Sequence, residues 1–213
     1  MARRPLLTAA ALASGAALLL TACGGTDKSQ DDDKIAGAGQ GQKPKSKPSA
    51  TPPSSQRPAI TIPKDLQAQF ESWTSGDPKK DAVLQDGKER MRAILEAAAA
   101  HNPESQAFLF YSIDSARDTG QEWIGSFKKK NAAPTGSVRY SKPEVSLKGD
   151  KTAMLTYCDD ESKGAWKDIK TGKVHTSPVT DESYMRYITK LERNDQGVWQ
   201  TSGVVTQEGK CRP

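Results

Sequence analysis

The chain lacks the local signatures of the commonest chemistries. It has no phosphate-cradling glycine loop, no nucleophile elbow and no metal-ligand spacing, and its two histidines, His101 and His175, stand far apart. Aromatic residues make up 6% of it, and none falls between Gly24 and Arg57, where Ile35 is the only large aliphatic residue. A stretch so poor in apolar side chains cannot bury enough surface to offset the entropy of ordering. A core is therefore expected in residues 61–213, about the size of one domain. One-sided charge is missing as well. The formal net charge is +5, but residues 61–213 hold 23 basic and 22 acidic side chains. A nucleic-acid module concentrates base on one face, so no nucleic-acid partner is expected.

What is present begins with an address. Arg3 and Arg4 open the chain, Leu6 to Leu20 form an apolar run, and Leu20-Thr21-Ala22-Cys23 close it. A run of about fifteen residues suits an export signal and is short of the roughly 20 that span a bilayer. Leu20-Thr21-Ala22-Cys23 resembles the bacterial lipobox, which implies cleavage between Ala22 and Cys23 and diacylglyceryl transfer to the Cys23 sulfur. Residues 1–22 are then a lipoprotein signal peptide, and the protein is expected on the outer face of the cell membrane, held in lipid through Cys23. Two acyl chains meet the two-signal requirement for stable anchoring. Arg3-Arg4-Pro5-Leu6-Leu7 also resembles a twin-arginine signal, which leaves the general secretory and folded-export routes open.

Residues 23–60 read as the lipidated cysteine and a tether rich in Gly, Ser, Pro and Lys. Lys43-Pro44-Lys45-Ser46-Lys47-Pro48 favours extended polyproline-like backbone. A flexible chain of this length spans about 33 Å.

Beyond Thr61 the apolar spacing changes along the chain. Leu66, Phe70 and Trp73, four and three apart, predict a short helix. Asp81 is placed to cap a second helix carrying Leu84, Met91, Ile94, Leu95 and Ala98, which His101-Asn102-Pro103 ends. Phe108, Phe110 and Tyr111 suit a short helical turn. A third helix is expected from about Ile113 to Lys130, with Asn131 as its left-handed cap. Strand texture follows: Ser137–Leu147, with Pro143 at an edge or bulge; an alternating strand ending at Cys158; a hairpin around Lys170-Thr171-Gly172-Lys173; and a last pair, Tyr184–Glu192 and Val198–Val205. Helices first and a strand meander afterwards define an α+β domain.

With Cys23 assigned to lipid, Cys158 and Cys211 remain as the natural disulfide pair outside the cell. The competing reading is a thiol nucleophile working with His101 or His175, which would strand Cys211.

The helical stretch Tyr111–Asn131 with Trp123, the turn Pro134-Thr135-Gly136, the segments Cys158-Asp159-Asp160, Trp166 and Lys170-Thr171-Gly172-Lys173, and the closing Gly197-Val198-Trp199 and Gly209-Lys210-Cys211 form a pattern. It resembles the nuclear transport factor 2-like domains of secreted Gram-positive lipoproteins, over about residues 61–213. The resemblance implies N-terminal helices packed on a strongly curved antiparallel sheet, making a cone with an apolar cavity. Phe70, Trp73, Phe108, Phe110, Tyr111, Trp123 and Tyr157 are the candidate cavity residues. Asp114, Asp118 and Glu122 share a helix face distinct from the apolar one and read as a solvated stripe. The expected function is non-enzymatic: the domain binds a small apolar ligand or docks against a neighbouring envelope protein, with no cofactor, metal or catalytic residue. Two rivals remain, an envelope isomerase or dehydratase using the cone and a structural homodimer module. A buried carboxylate in an open cone discriminates in favour of the enzyme.

Overall fold

The computed structural model describes residues 57–213; the signal segment, Ala22, Cys23 and most of the tether lie outside the described residues. The elements run β1 (Leu66–Phe70), α1 (Pro78–Ala99), α2 (Gln106–Tyr111), α3 (Asp114–Lys130), β2 (Ala132–Lys148), β3 (Thr152–Asp168), β4 (Val174–Thr176), β5 (Tyr184–Arg193) and β6 (Trp199–Gln207). The sheet order is β1-β2-β3-β5-β6, with β4 pairing to β3. The domain is α+β, and its helices lie against one face of a bent mixed sheet, as the expected cone requires.

The first element corrects the sequence reading. Leu66–Phe70 is a strand, paired in parallel with Gly136–Tyr140, so the sheet is mixed rather than wholly antiparallel. Leu66, Phe70 and Trp73 fit a period near 3.6 while Leu66, Ala68 and Phe70 fit a period of two, and the free edge of β2 offered backbone partners that an isolated helical turn does not. The cap of α1 is also different. The Asp77 carboxylate, not Asp81, accepts the N–H groups of Lys79 (2.8 Å) and Lys80 (3.3 Å), with Pro78 at the first helical position. Asp81 instead accepts from the Ser75 N–H (2.6 Å) and hydroxyl (2.8 Å). Asn131 closes α3 in the left-handed conformation, with φ 51° and ψ 39°.

β2 and β3 are each 17 residues long and form the spine of the sheet. Register shifts between Ser137 and Arg139 and between Ser141 and Glu144 bend β2, the second holding Pro143. β3 does not stop at Cys158. It runs on through Asp159-Asp160-Glu161-Ser162-Lys163-Gly164 and pairs with β2 as far as Ala132↔Asp168, with Glu161 and Ser162 falling in the register shift between Ser137 and Arg139. That polar run reads as a strand end, but the backbone ladder is indifferent to side-chain polarity, and the continuation carries two carboxyls into the cone.

Two clusters form the core. Leu84, Met91 and Leu95 of α1 pack on Val138, Tyr140, Leu155, Tyr157, Leu191 and Trp199. Ala93, Ala97 and Ala98, on another side of α1, pack with Phe108, Tyr111, Ile124 and Val198. Gly120 lets α3 approach: a Cβ there would lie 2.4 Å from the Phe108 ring. Cys158 and Cys211 are joined by a disulfide, Cα–Cα 5.5 Å.

The packed unit begins before Thr61. Arg57 binds the Asp86 carboxylate through both Nη atoms, and Asp86, 1% exposed, also accepts the Trp199 N–H at 2.9 Å. Ile60 packs on the second cluster and its carbonyl accepts from Arg92 (3.2 Å). An arginine after Pro-Ser-Gln-rich sequence reads as solvated tether because its buried partner is 29 residues away.

Candidate active site in the cone

Between α1, α3 and the sheet lies a cavity of about 310 Å³. β3 supplies Tyr157, Asp159 and Glu161 to it. These are two residues apart and share one face of a strand, the same phase as the core residues Ala153 and Leu155. α1 contributes Arg90, β2 Tyr140, β5 Tyr187 and α3 Trp123. A second groove of about 520 Å³ adjoins the cavity, sharing Leu95, Trp123 and Glu161 with it and reaching Phe127 and Trp166.

Asp159 is 4% exposed, and its Oδ1 has no hydrogen-bond partner. Burial, with the neighbouring carboxyls Glu161 and Asp160 adding like charge, pushes its acid strength far down, so its pKa stands well above the ordinary carboxylate value. Glu161 is exposed to solvent at the cavity mouth, and the walls on its inner side desolvate it enough to raise its pKa as well. Asp160, on the opposite face of β3, behaves the other way. Although desolvation opposes it, bonds from Ser162 and from Arg139 (2.8 Å) hold it below the ordinary value. One strand thus sets apart adjacent carboxyls by the face on which each falls.

Tyr157 and Tyr187 stack with ring centroids 5.2 Å apart and planes at 3°, and Tyr140 meets Tyr157 edge-on at 6.0 Å. Burial raises all three phenols, which keeps them as neutral O–H donors. Arg90, 6% exposed, donates from Nε to the Ser112 hydroxyl (3.1 Å) and from Nη2 to the Ala116 carbonyl (3.4 Å), and the three phenols are the groups whose charge would act on it. The cavity therefore holds a cation and two carboxyls that form no ion pair with one another, with tyrosines influenced by both.

Of the seven aromatic residues expected in the cavity, Trp123 and Tyr157 line it. Phe70 and Trp73 pack on the first core cluster, edge to face at 5.2 Å, and Phe108 and Tyr111 are fully buried in the second with Phe110 against them. Spacing alone cannot tell a wall facing a void from a wall facing another side chain. Asp114, Asp118 and Glu122 are exposed on α3. His101 contacts the Ala132 carbonyl at 2.7 Å, and His175 stacks on Trp166 at 4.0 Å. Neither reaches a thiol, since both remaining cysteines are bonded to each other. Arg90, Asp159 and Glu161 are absent from the sequence reading. The available signal was two acidic residues continuing the buried phase of an alternating strand.

No protein-family model matches the sequence, and neither does any curated protein. Solved structures similar to it include a ketosteroid isomerase-like protein from Erwinia carotovora atroseptica, 15% identical, TM-score 0.41, covering 60% of this chain and 93% of that one. Another is the LinA-type3 hexachlorocyclohexane dehydrochlorinase from Novosphingobium barchaimii, 8% identical, TM-score 0.42, covering 63% and 92%. A third is the association domain of CaMKII from C. elegans, 15% identical, TM-score 0.37, covering 62% and 99%. Enzymes stand among these structures by their names. The expectation of a non-catalytic domain is corrected by the cone itself, which holds a buried carboxyl in an open cavity, the feature that discriminates in favour of an enzyme.

Proposed function

We propose that the protein is a lipid-anchored envelope enzyme that moves a proton on a small, mostly apolar molecule, in an isomerisation or dehydration. The observation that carries the reading is Asp159: a buried carboxyl with one oxygen unpartnered, facing an open cavity. Burial disfavours the ionised form of Asp159 and makes it the proton donor of the two carboxyls, since pairs of titratable groups with separated strengths divide the acid and base roles. Glu161, at the mouth and raised less, is the base that takes a proton from carbon. Asp159 is the acid that delivers one, either to a second carbon or to a departing hydroxyl that leaves as water. A tyrosine O–H hydrogen-bonds the oxygen on which negative charge develops. The apolar walls, Met91, Ile94 and Leu95 among them, exclude bulk water and set the size of the ligand.

The address rests on residues outside the described ones. The signal-like start, Leu20-Thr21-Ala22-Cys23 and the Gly/Ser/Pro/Lys run support attachment outside the cytoplasmic membrane, and a disulfide is compatible with an oxidising compartment.

The reaction class is tested by incubating the chain in D2O with a small-molecule extract of the producing cells and reading deuterium incorporation by mass spectrometry. Compounds that gain deuterium with the unaltered protein should gain it on the order of a hundredfold or more slowly with Asp159→Asn. Equal labelling by both proteins, or none by either, refutes the assignment.

A further inference from the structure

Arg90 stands out among the buried groups. It is 6% exposed, yet its side chain forms no ion pair among the described residues; its protein acceptors are one hydroxyl and one carbonyl. Arg57 and Arg139, by contrast, each have carboxylate partners. Only Nε and Nη2 of Arg90 are engaged, so the outer nitrogen Nη1 and its two N–H groups have no acceptor among the described residues. A buried guanidinium without counter-charge is costly, and a methionine or leucine would close the same space more favourably. The two carboxyls of the cavity do not relieve it, because no salt bridge joins Arg90 to Asp159 or Glu161. Arg90 nonetheless forms part of the cavity wall beside Tyr140, Tyr157 and Tyr187.

We propose that Arg90 is the anion-recognition residue of the cone, and that the natural ligand is a small apolar molecule, with a ring or short chain, bearing one carboxylate. The fixed N–H fork of a guanidinium matches a carboxylate and completes its own hydrogen bonding when the ligand enters. The tyrosine rings and Trp123 take the apolar body. Arg90 is paired with neither carboxyl of the cavity, so a ligand whose carboxylate meets Arg90 presents another part of itself to Asp159 and Glu161. The buried Asp159 Oδ1, without a hydrogen-bond partner, fits the same assignment: the cavity wall carries polar groups that the protein itself does not satisfy. This assignment rests on the reading of the cone as a proton-transfer site, and its test separates the two.

The probes are matched pairs of equal shape and different charge, benzoate with benzamide and 2-naphthoate with 2-naphthamide, titrated calorimetrically into the chain at neutral pH. At least one carboxylate should bind tenfold or more tightly than its amide. Arg90→Met should erase that preference while leaving amide binding within threefold. Arg90→Lys, which keeps charge and loses the fork, should retain only part of it. If Arg90→Met does not give a cooperative melt, the unaltered protein and Arg90→Lys still decide the matter. Equal affinity within each pair, no binding of any probe, or a preference that survives loss of the guanidinium overturns the proposal. Asp159→Asn should keep the preference for carboxylate while losing deuterium exchange. Preference without exchange in the unaltered protein leaves Arg90 as the anion site and removes the proton transfer; exchange without preference does the reverse.

Discussion

Arg57→Ala tests whether the fold begins upstream of Thr61. Arg57 occupies both oxygens of Asp86, which is buried on α1 and otherwise accepts, among the described residues, only the Trp199 N–H at the start of β6. Burial already raises the Asp86 carboxyl, and Arg57 is the strongest opposing influence. Without the guanidinium, a carboxylate is left inside the protein with a single donor. Breaking a buried pair costs about 3 to 5 kcal/mol, and because the Arg57 side chain is 16% exposed the lower end applies. For a domain of this size about 3 kcal/mol corresponds to a fall in Tm of roughly 6 to 12 °C. Thermal melts followed by circular dichroism measure it. The deficit should shrink in acid, where the orphaned carboxyl is protonated. Arg57→Ala combined with Asp86→Asn should melt above Arg57→Ala alone, since the double change removes the unpaired charge. A single-site melt within about one degree of the unaltered chain would refute the reasoning and return residues 57–60 to the tether.

Four further outcomes are expected. Asp159→Asn should change the pH dependence of stability: a carboxyl whose folded pKa is raised contributes stability below its unfolded value, near 3.9, and loses it as pH rises toward the folded value. Urea titrations from pH 4 to 8 should show the unaltered chain losing up to about 1.4 kcal/mol per pH unit relative to the variant, and parallel curves would contradict a buried neutral acid. Gly120→Ala places a methyl against the Phe108 ring and should destabilise by about 1 to 3 kcal/mol, read as a lower urea midpoint. Cys158→Ser opens a loop with sequence separation 53 and should cost about 4 kcal/mol in the chain-entropy picture; a midpoint unchanged from the oxidised parent would argue that the bridge constrains nothing. Cys23→Ser should abolish incorporation of a clickable fatty acid, and equal labelling of the two proteins would exclude the lipobox reading.

Long, strongly periodic segments were legible from residues alone. The apolar face of α1, the position of α3 with Asn131 closing it, the hairpin-rich second half and the α+β class all follow from local spacing and turn chemistry, which act within a few residues. The pairing of Cys158 with Cys211 followed from counting, once Cys23 was set aside. Leu66–Phe70 failed because five residues satisfy two periods, and a partner 70 positions away, the edge at Gly136–Tyr140, chose between them. β3 was cut short at Cys158 for a related reason: acidic side chains look like the end of a strand when the ladder continuing beneath them is unseen.

The site was the least legible part. Asp159 and Asp160 are adjacent and chemically identical, yet one has its pKa raised in the cavity and the other has it lowered beside Arg139. Composition and spacing could establish that carboxyls are present on an alternating strand. Only the fold decided which of them lines the cavity with Arg90 and which pairs with Arg139 on the other face of the strand. Burial and charge proximity are properties of distance in space: residues 57, 86 and 199 meet, and residues 90 and 159 come to line one cavity, only when the helices close over the sheet.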